Sequence, residues 1–319
     1  MPLTIDFKNM DRRKFIKSGA VISAFSALKT EQDVHAKNKK PSFRAVFMSD
    51  IHVKDDEISK AGMKKALTHI NQLKTKPSFI INGGDSIMDA LAADKTNTAK
   101  QWEIWTEILS AHNKLPVYHC IGNHDVWGWQ VKDESIKSDP LYDKNWAIKV
   151  LNMPGRYFSF EKSEWHFIVL DSAQENNGGY IARLDDAQYT WLETELNSIP
   201  ANKHICIISH IPIVSFCSAM FFDDMLPNGD WKLSRALLHT DARRIKNLFK
   251  KHSNIKACLS GHIHLQDHVT YLGVQYFCNG AISGKWWKGA FQDFEPAYGL
   301  FEFHKDGTIR REIIEYDKP

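Results

Sequence analysis

Five short polar clusters stand at the ends of separate apolar runs: Asp50-Ile51-His52, Gly84-Asp85, Gly122-Asn123-His124-Asp125, His210 and Gly261-His262-Ile263-His264. Their carboxylates, imidazoles and single amide oxygen suit Fe, Mn, Zn or Co better than a thiolate-held copper. Together they offer enough donors for two metal ions. Residues two apart on an extended chain point to the same side, so Asp50 with His52, and His262 with His264, can each address one site. A lone Asp-x-His or Gly-Asp is ordinary at a turn. The weight lies in the conjunction of five clusters in one chain.

Clusters this far apart in sequence meet only if a scaffold gathers strand ends. Runs rich in Val, Ile, Phe and Leu recur at 44–48, 78–81, 116–121, 166–170, 204–208 and 255–259, short and continuously apolar like buried strands. Helical stripes lie between several of them. Ile58, Met63, Leu67, Ile70 and Leu73 form one, and Trp102, Trp105, Ile108 and Leu109 a second. Asp185 or Asp186 would cap a third helix carrying Tyr189, Leu192 and Leu196, with Trp191 nearby, and a fourth would span 241–250. This alternation predicts an α/β fold with a largely parallel sheet, whose ligands gather beyond the carboxyl ends of the strands. Each polar cluster stands at that end of its run. From about residue 268 the texture changes to short strands at 268–272, 274–277, 298–304 and 308–315, with a hairpin turn at Lys305-Asp306-Gly307. No linker, repeat or low-complexity tract intervenes, so this antiparallel part is read into one domain spanning 41–319.

The motifs D-x-H, G-D, G-N-H-D, H and G-H-x-H, in this order, resemble the calcineurin-like metallophosphoesterase superfamily, in flavour closest to its bacterial cyclic-nucleotide phosphodiesterase-like members. The resemblance runs from about 43 to 268, and the segment 279–287, Asn-Gly-Ala-Ile-Ser-Gly-Lys-Trp-Trp, is similar as well. It implies an α/β fold of four αββα layers, two mixed β-sheets flanked by helices, and hydrolysis of a phosphate ester at a dinuclear centre of divalent or trivalent ions (Mn, Fe or Zn). Matching positions assign Asp50, His52, Asp85 and His264 to one ion, and Asp85, Asn123, His210 and His262 to the other, with Asp85 bridging. Two ions about 3.5 to 4 Å apart clamp the attacking and leaving oxygens and lower the pKa of a bound water, so a bridging hydroxide is the expected nucleophile. By the same resemblance His124 lies near the substrate without ligating metal and aids the leaving oxygen. Asp125 would orient the His124 imidazole and fix its tautomer, with a plain turn role as the alternative.

Departures narrow the class. Purple acid phosphatases carry an iron-ligating Tyr three positions after the bridging Asp, where this chain has Met88. Lipid A pyrophosphatases carry Arg where it has His124. There is no G-x-S-x-G elbow and no P-loop glycine run, so nothing suggests a covalent intermediate. Trp127 and Trp129, and Trp286 with Trp287, are candidate substrate walls, or core packing. Asp89 is a candidate for capping or orienting the loop after Asp85. Tyr180, Asp223 and Asp224 lie in stretches that could reach the site mouth. His112, His119, His166, His204, His239, His252 and His268 have no motif around them and read as structural or surface residues.

With 319 residues, 43% hydrophobic and 12% aromatic, the chain has ample material for a packed core. Its formal charge of +3 is uneven, for residues 1–40 hold nine Lys/Arg and four Asp/Glu, a net +5, leaving −2 for the remainder. That body has no basic track for a nucleic-acid duplex, which weakens a nuclease reading. Residues 1–40 read as an export leader and linker. The run Asp11-Arg12-Arg13-Lys14-Phe15-Ile16-Lys17 resembles the twin-arginine signal, with Asp11 where Ser or Thr is usual, and Met10 offers a second start. The apolar stretch 19–28 is about half the roughly 20 residues a spanning helix needs, so no stable membrane span is expected. Val34-His35-Ala36 is a poor cleavage site, and retention by an uncleaved leader stays open. The expected location is periplasmic or otherwise exported, with the twin-arginine machinery as partner; the alternative is a disordered basic N-terminus.

Five cysteines without a Cys-x-x-Cys spacing indicate neither a zinc ribbon nor a disulfide framework. Cys120, Cys206, Cys258 and Cys278 read as buried packing residues, whereas Cys217 falls in a loop-like stretch where it could pair in an oxidising compartment. The leading expectation is a phosphodiesterase acting on a small-molecule phosphoester. A phosphomonoesterase on the same centre comes next, and a metal-binding scaffold without catalysis is the reading from a different class.

Overall fold

The structure is a computed structural model that describes residues 40–221 and 225–317. The leader reading, with its Arg12 and Arg13, and the loop aspartates Asp223 and Asp224 lie outside the described residues. In chain order the elements are β1 (Phe43–Met48), α1 (Glu57–Gln72), β2 (Phe79–Asn82), α2 (Lys95–His112), β3 (Val117–His119), α3 (Asn145–Val150), β4 (Phe158–Lys162) and β5 (Trp165–Leu170). A small hairpin follows, β6 (Ala173–Glu175) and β7 (Tyr180–Ala182), then α4 (Asp186–Ser198), β8 (His204–Ser209), α5 (Ala242–Phe249) and β9 (Ile255–Ser260). The last strands are β10 (Gln266–Tyr271), β11 (Val274–Asn279), β12 (Tyr298–Phe303) and β13 (Ile309–Ile314).

Two large mixed sheets result, in the orders β13-β12-β1-β2-β3 and β10-β11-β9-β8-β5-β4. In the first, β1, β2 and β3 run parallel while β12 and β13 join antiparallel. In the second, β5, β8, β9 and β11 are parallel, with β4 and β10 as antiparallel edges. The C-terminal strands are therefore shared out: β10 and β11 extend one sheet, β12 and β13 the other. The turn expected at Lys305-Asp306-Gly307 joins β12 to β13, where Gly307 takes the left-handed φ of 82° that a residue with a Cβ resists.

Side-chain alternation along each strand builds the layers. Ala45 and Phe47 pack between the sheets with Phe167, Cys206, Ile208 and Leu259. Their neighbours Val46 and Met48 face the helix layer of Met63, Leu67, Trp102 and Trp105. On the far side, Ile168, Ile205 and Ile207 pack against Leu192, Leu196, Ile245 and Leu248 of α4 and α5. This is the four-layer αββα arrangement with two mixed sheets. Truncating a fully buried ring such as Phe47 to Ala would cost about 3–5 kcal/mol.

The helices start where their caps stand: Asp56, Asp94 and Asp185 each accept a backbone N–H at 2.8 Å in the first turn of α1, α2 and α4. Asp185, not Asp186, is thus the cap of α4. Ile58 departs from the expected stripe and is 67% exposed. Its spacing of five from Met63 turns it off the buried face, which Met63, Leu67 and Ile70 form at spacings of four and three. Strand β4 and the β6–β7 hairpin are additions that the apolar-run criterion passes over, β4 because it alternates Phe-Ser-Phe-Glu.

Candidate metal centre

The donors issue from both sheets. Asp50, Asp85 and Asn123 follow β1, β2 and β3 of the first sheet, while His210, His262 and His264 follow β8 and β9 of the second. All leave their strands at the carboxyl end, so they converge at the end of the sandwich where the strand ends of both sheets meet. Each turn is abrupt. Asp50, His52, Asp85, His262 and His264 have φ of 57°, 50°, 53°, 69° and 61°, in the left-handed region that costs a non-glycine residue roughly 1–2 kcal/mol. The backbone compensates in part. Asp50 N–H donates to Gly84 O, and Ile51 and His52 N–H both donate to Asp85 O at 2.9 and 3.0 Å. The glycines permit the approach, because a Cβ on Gly122 would overlap the Asp85 carboxylate and one on Gly261 the Asp50 carboxylate.

The left-handed turns replace the extended-chain argument for pairing donors. Asp50 and His52 do fall in one group, with His264, but His262 belongs with Asp85 and His210. In the first group His52 Nε2 lies 3.1 Å from His264 Nε2, which is 3.5 Å from Asp50 Oδ1. In the second, His210 Nε2 lies 3.2 Å from His262 Nδ1, from Asn123 Oδ1 and from Asp85 Oδ2. Asp85 Oδ2 is also 3.7 Å from His52 Nε2, so one oxygen faces both groups. All seven donor residues are buried.

The remote ring nitrogens set the tautomers. His210 Nδ1 donates to Gly83 O at 2.8 Å, His264 Nδ1 to Gly284 O at 2.6 Å and His262 Nε2 to Ala236 O at 3.0 Å. In its neutral form each of these imidazoles presents the other nitrogen's lone pair to the centre. Two imidazole nitrogens bound to one ion at about 2.1 Å stand roughly 3.0–3.4 Å apart for octahedral to tetrahedral angles. The His52–His264 and His210–His262 separations fall in that range. Lone pairs and carboxylate oxygens facing one another in a buried space call for positive charge, so the donor set fits two cations.

Electrostatics agree. Burial, and for His262 also His210, keeps His52 and His262 neutral, the latter pushed down to about 3. Burial raises the Asp50 carboxyl. Burial would raise Asp85 too, but the imidazoles of His210, His124 and His52 outweigh it and hold this carboxyl well below the usual range. His210 is the counterpart: burial lowers it, yet Asp85 and Asp50 prevail and carry it up to about 9.

His124 stands at the rim, half-buried, with its ring edge-on to His52 at 4.9 Å between centroids. A ring nitrogen lies within 4.8 Å of donor atoms of His52 and Asp85. Asp125 does not orient it. That carboxylate accepts Ser86 N–H at 2.8 Å and Gly122 N–H at 2.9 Å, tying the Asp85 loop to the Asn123 loop. The carboxylate facing His124 is Asp89, whose Oδ1 lies 3.9 Å from His124 Nδ1 and accepts Leu91 N–H at 2.8 Å. The Asp125 carboxylate is taken up by these two backbone N–H groups, so Asp89, four residues after Asp85, stands in the place expected of Asp125.

Trp127 and Trp129 are core rather than wall, 2% and 5% exposed; Trp127 meets Trp146 edge-on at 5.2 Å. Trp286 lies 4.6 Å from the His264 ring and 6.1 Å from that of His52, half-buried at the site. Trp287 donates its Nε1–H to His52 O at 3.2 Å and fills the space over Gly62, bracing a donor loop. Sequence reasoning also missed Ser283, whose N–H and hydroxyl both donate to Asp50 O. Its only signal was its place in the 279–287 segment. Ser209, His239 and Asp241 line up at 3.2 and 3.0 Å like a hydrolytic triad. The Ser209 hydroxyl is fully buried and bonds to Ile211 O, so this is a brace behind His210. All five cysteines are free and buried, Cys217 included.

Grouped donors able to hold cations at the carboxyl end of an αββα sandwich, together with the relatives below, mark out a metal-dependent phosphoric ester hydrolase. The chain belongs to the calcineurin-like phosphoesterase family, whose model matches residues 43–266. It is 26% identical over 226 residues to a probable glycerophosphodiester phosphodiesterase of Arcobacter nitrofigilis, covering 69% of this chain and 71% of that one. It is 23% identical over 287 residues to a 3',5'-cyclic adenosine monophosphate phosphodiesterase of Haemophilus influenzae, covering 86% and 90%. Among solved structures, a dimetal phosphatase from Danio rerio shares the fold with a TM-score of 0.59 at 14% identity, over 87% of this chain and 100% of that one.

Proposed function

We propose that the protein hydrolyses a small-molecule phosphodiester at a pair of transition-metal ions. Asp50, His52, Asp85 and His264 would hold one ion, and Asp85, Asn123, His210 and His262 the other. The observation that carries this is the place of Asp85 Oδ2, 3.2 Å from His210 Nε2 and 3.7 Å from His52 Nε2, between two groups of converging donors. Bound there, the ions supply Lewis acidity toward the phosphoryl oxygens and an activated water. The chain's own part is to hold the imidazoles in their ligating tautomers and to exclude bulk water. His124, at the rim beside the first group, is the residue within reach of a leaving oxygen, with Asp89 facing its Nδ1. Half-buried Trp286 makes one wall. The names of the two bacterial relatives favour a diester over a monoester.

Metal analysis of purified protein, followed by turnover of a chromogenic phosphodiester and phosphomonoester with added manganese, tests the proposal. Two equivalents of metal and faster diester turnover are expected. Faster monoester turnover would shift the assignment to a phosphomonoesterase, and no turnover of either by metal-replete protein would favour a scaffold.

Export by the twin-arginine route is a second part of the proposal, supported by Arg12-Arg13 and the apolar stretch that follows. Replacing both arginines by Lys should abolish export; unchanged export would sink it. Among the described residues no helix is long and apolar enough to cross a membrane.

A further inference from the structure

Tyr180 opens β7, in a hairpin outside the proposed ligand set. Its ring meets His262 at 80°, with centroids 6.0 Å apart. The hairpin is tied to the same histidine by a second route. Ala182 N–H donates to Arg235 O at 2.9 Å, and the next carbonyl, Ala236 O, accepts His262 Nε2–H at 3.0 Å. The ring is thus held against one donor group by backbone that also fixes that group. Among the described residues the hydroxyl makes no hydrogen bond. Across the centre His124 stands edge-on to His52 in a similar way, at 87°. Each donor group therefore carries one protic side chain packed on one of its imidazoles.

We propose that the Tyr180 hydroxyl donates a hydrogen bond to a non-bridging phosphoryl oxygen of the substrate, on the Asp85-Asn123-His210-His262 side and opposite His124. The inference rests on the phosphoester reading of this centre. A phosphoester presents more anionic oxygen than the ions alone satisfy, and charge on those oxygens is stabilised by donors fixed in advance. Tyrosine, with an ordinary pKa of about 10, is such a donor at neutral pH and needs no proton transfer to act.

Tyr180→Phe keeps the ring on His262 and removes only the hydroxyl, whereas Tyr180→Leu removes both. Manganese-loaded wild type and variants are compared by metal analysis and by calorimetric titration with inorganic phosphate. Tyr180→Phe should keep both metals, bind phosphate about tenfold more weakly and lose a similar factor in kcat/KM. Tyr180→Leu should also lose occupancy at one ion. Phosphate binding by Tyr180→Phe within twofold of wild type would overturn the inference, and so would loss of metal from that variant, since Tyr180 would then be a ligand. The titration needs no turnover. A tenfold difference in protein that hydrolyses neither ester would fail the enzyme reading and keep the contact, and turnover with equal phosphate binding would fail the contact alone.

Discussion

Asp85 Oδ2 lies 3.2 Å from His210 Nε2, a carboxylate and an imidazole from different sheets, buried together where the two sets of strand ends meet. The pair joins the halves of the sandwich at the point where one Asp85 oxygen faces both donor groups.

Asp85→Asn should therefore disturb both ions. The amide keeps an oxygen to accept His124 N–H, as Asp85 Oδ1 does at 2.8 Å, so the loop can stay in place. We expect metal affinity to fall by at least about 100-fold at one ion or both, with turnover lost. Metal analysis beside circular dichroism checks it; full occupancy by two ions would remove the bridging assignment.

Asn123 and His124 are neighbours with different expected roles. Asn123 Oδ1 sits 3.2 Å from His210 Nε2, and Asn123→Ala should lose one metal and nearly all activity. His124→Ala should keep both metals while kcat falls by about 100-fold or more, as for loss of a general acid. Because a His124 nitrogen also lies within 4.8 Å of His52 and Asp85 donor atoms, metal loss from His124→Ala would make it a ligand instead.

Asp125→Ala would leave the buried N–H groups of Ser86 and Gly122 without acceptors. A destabilisation of about 2–4 kcal/mol is expected from two such losses. Chemical denaturation of the metal-free protein measures it without interference from catalysis. A change under 0.5 kcal/mol, roughly what an inert surface substitution gives, would refute the staple role.

His119 supplies a pH dependence independent of the metals. It is buried, accepts Asn82 Nδ2–H at 3.1 Å, and burial lowers its pKa from 6.5 to about 4. The folded pKa is depressed, so the unfolded chain takes up the proton first. The stabilisation is full above pH 6.5 and is lost as pH falls toward 4, by about 3 kcal/mol in all. His119→Gln retains an acceptor and cannot titrate. The melting temperature of wild type should drop more steeply than that of the variant between pH 6.5 and 4, and parallel curves would contradict the assignment.

Much of the architecture was legible because its causes are local. Apolar runs of strand length, a cap at Asp185 or Asp186, and the Lys305-Asp306-Gly307 turn each depend on residues close in sequence. Ile58 fits the stripe by residue type but not by angle, because its spacing of five from Met63 turns it to solvent. Trp127 and Trp129 looked available for a substrate until α3 brought Trp146 against Trp127. Asp125 is next to His124 in sequence yet turns to backbone N–H groups of its own loop and of the Asp85 loop, while Asp89 takes the place facing the imidazole.

The sequence by itself determined which donors exist, their order, and their position at the ends of strands, since these follow from residue type and local pattern. Only the tertiary structure decided how they divide. Left-handed turns at five donor residues send His262 and His264 to different groups and leave one oxygen of Asp85 between them. Neither the sign of φ in a loop nor the approach of a strand from the opposite sheet is encoded in any short stretch of the chain. Both arise when two sheets pack and the glycines at 122 and 261 let their loops come within reach.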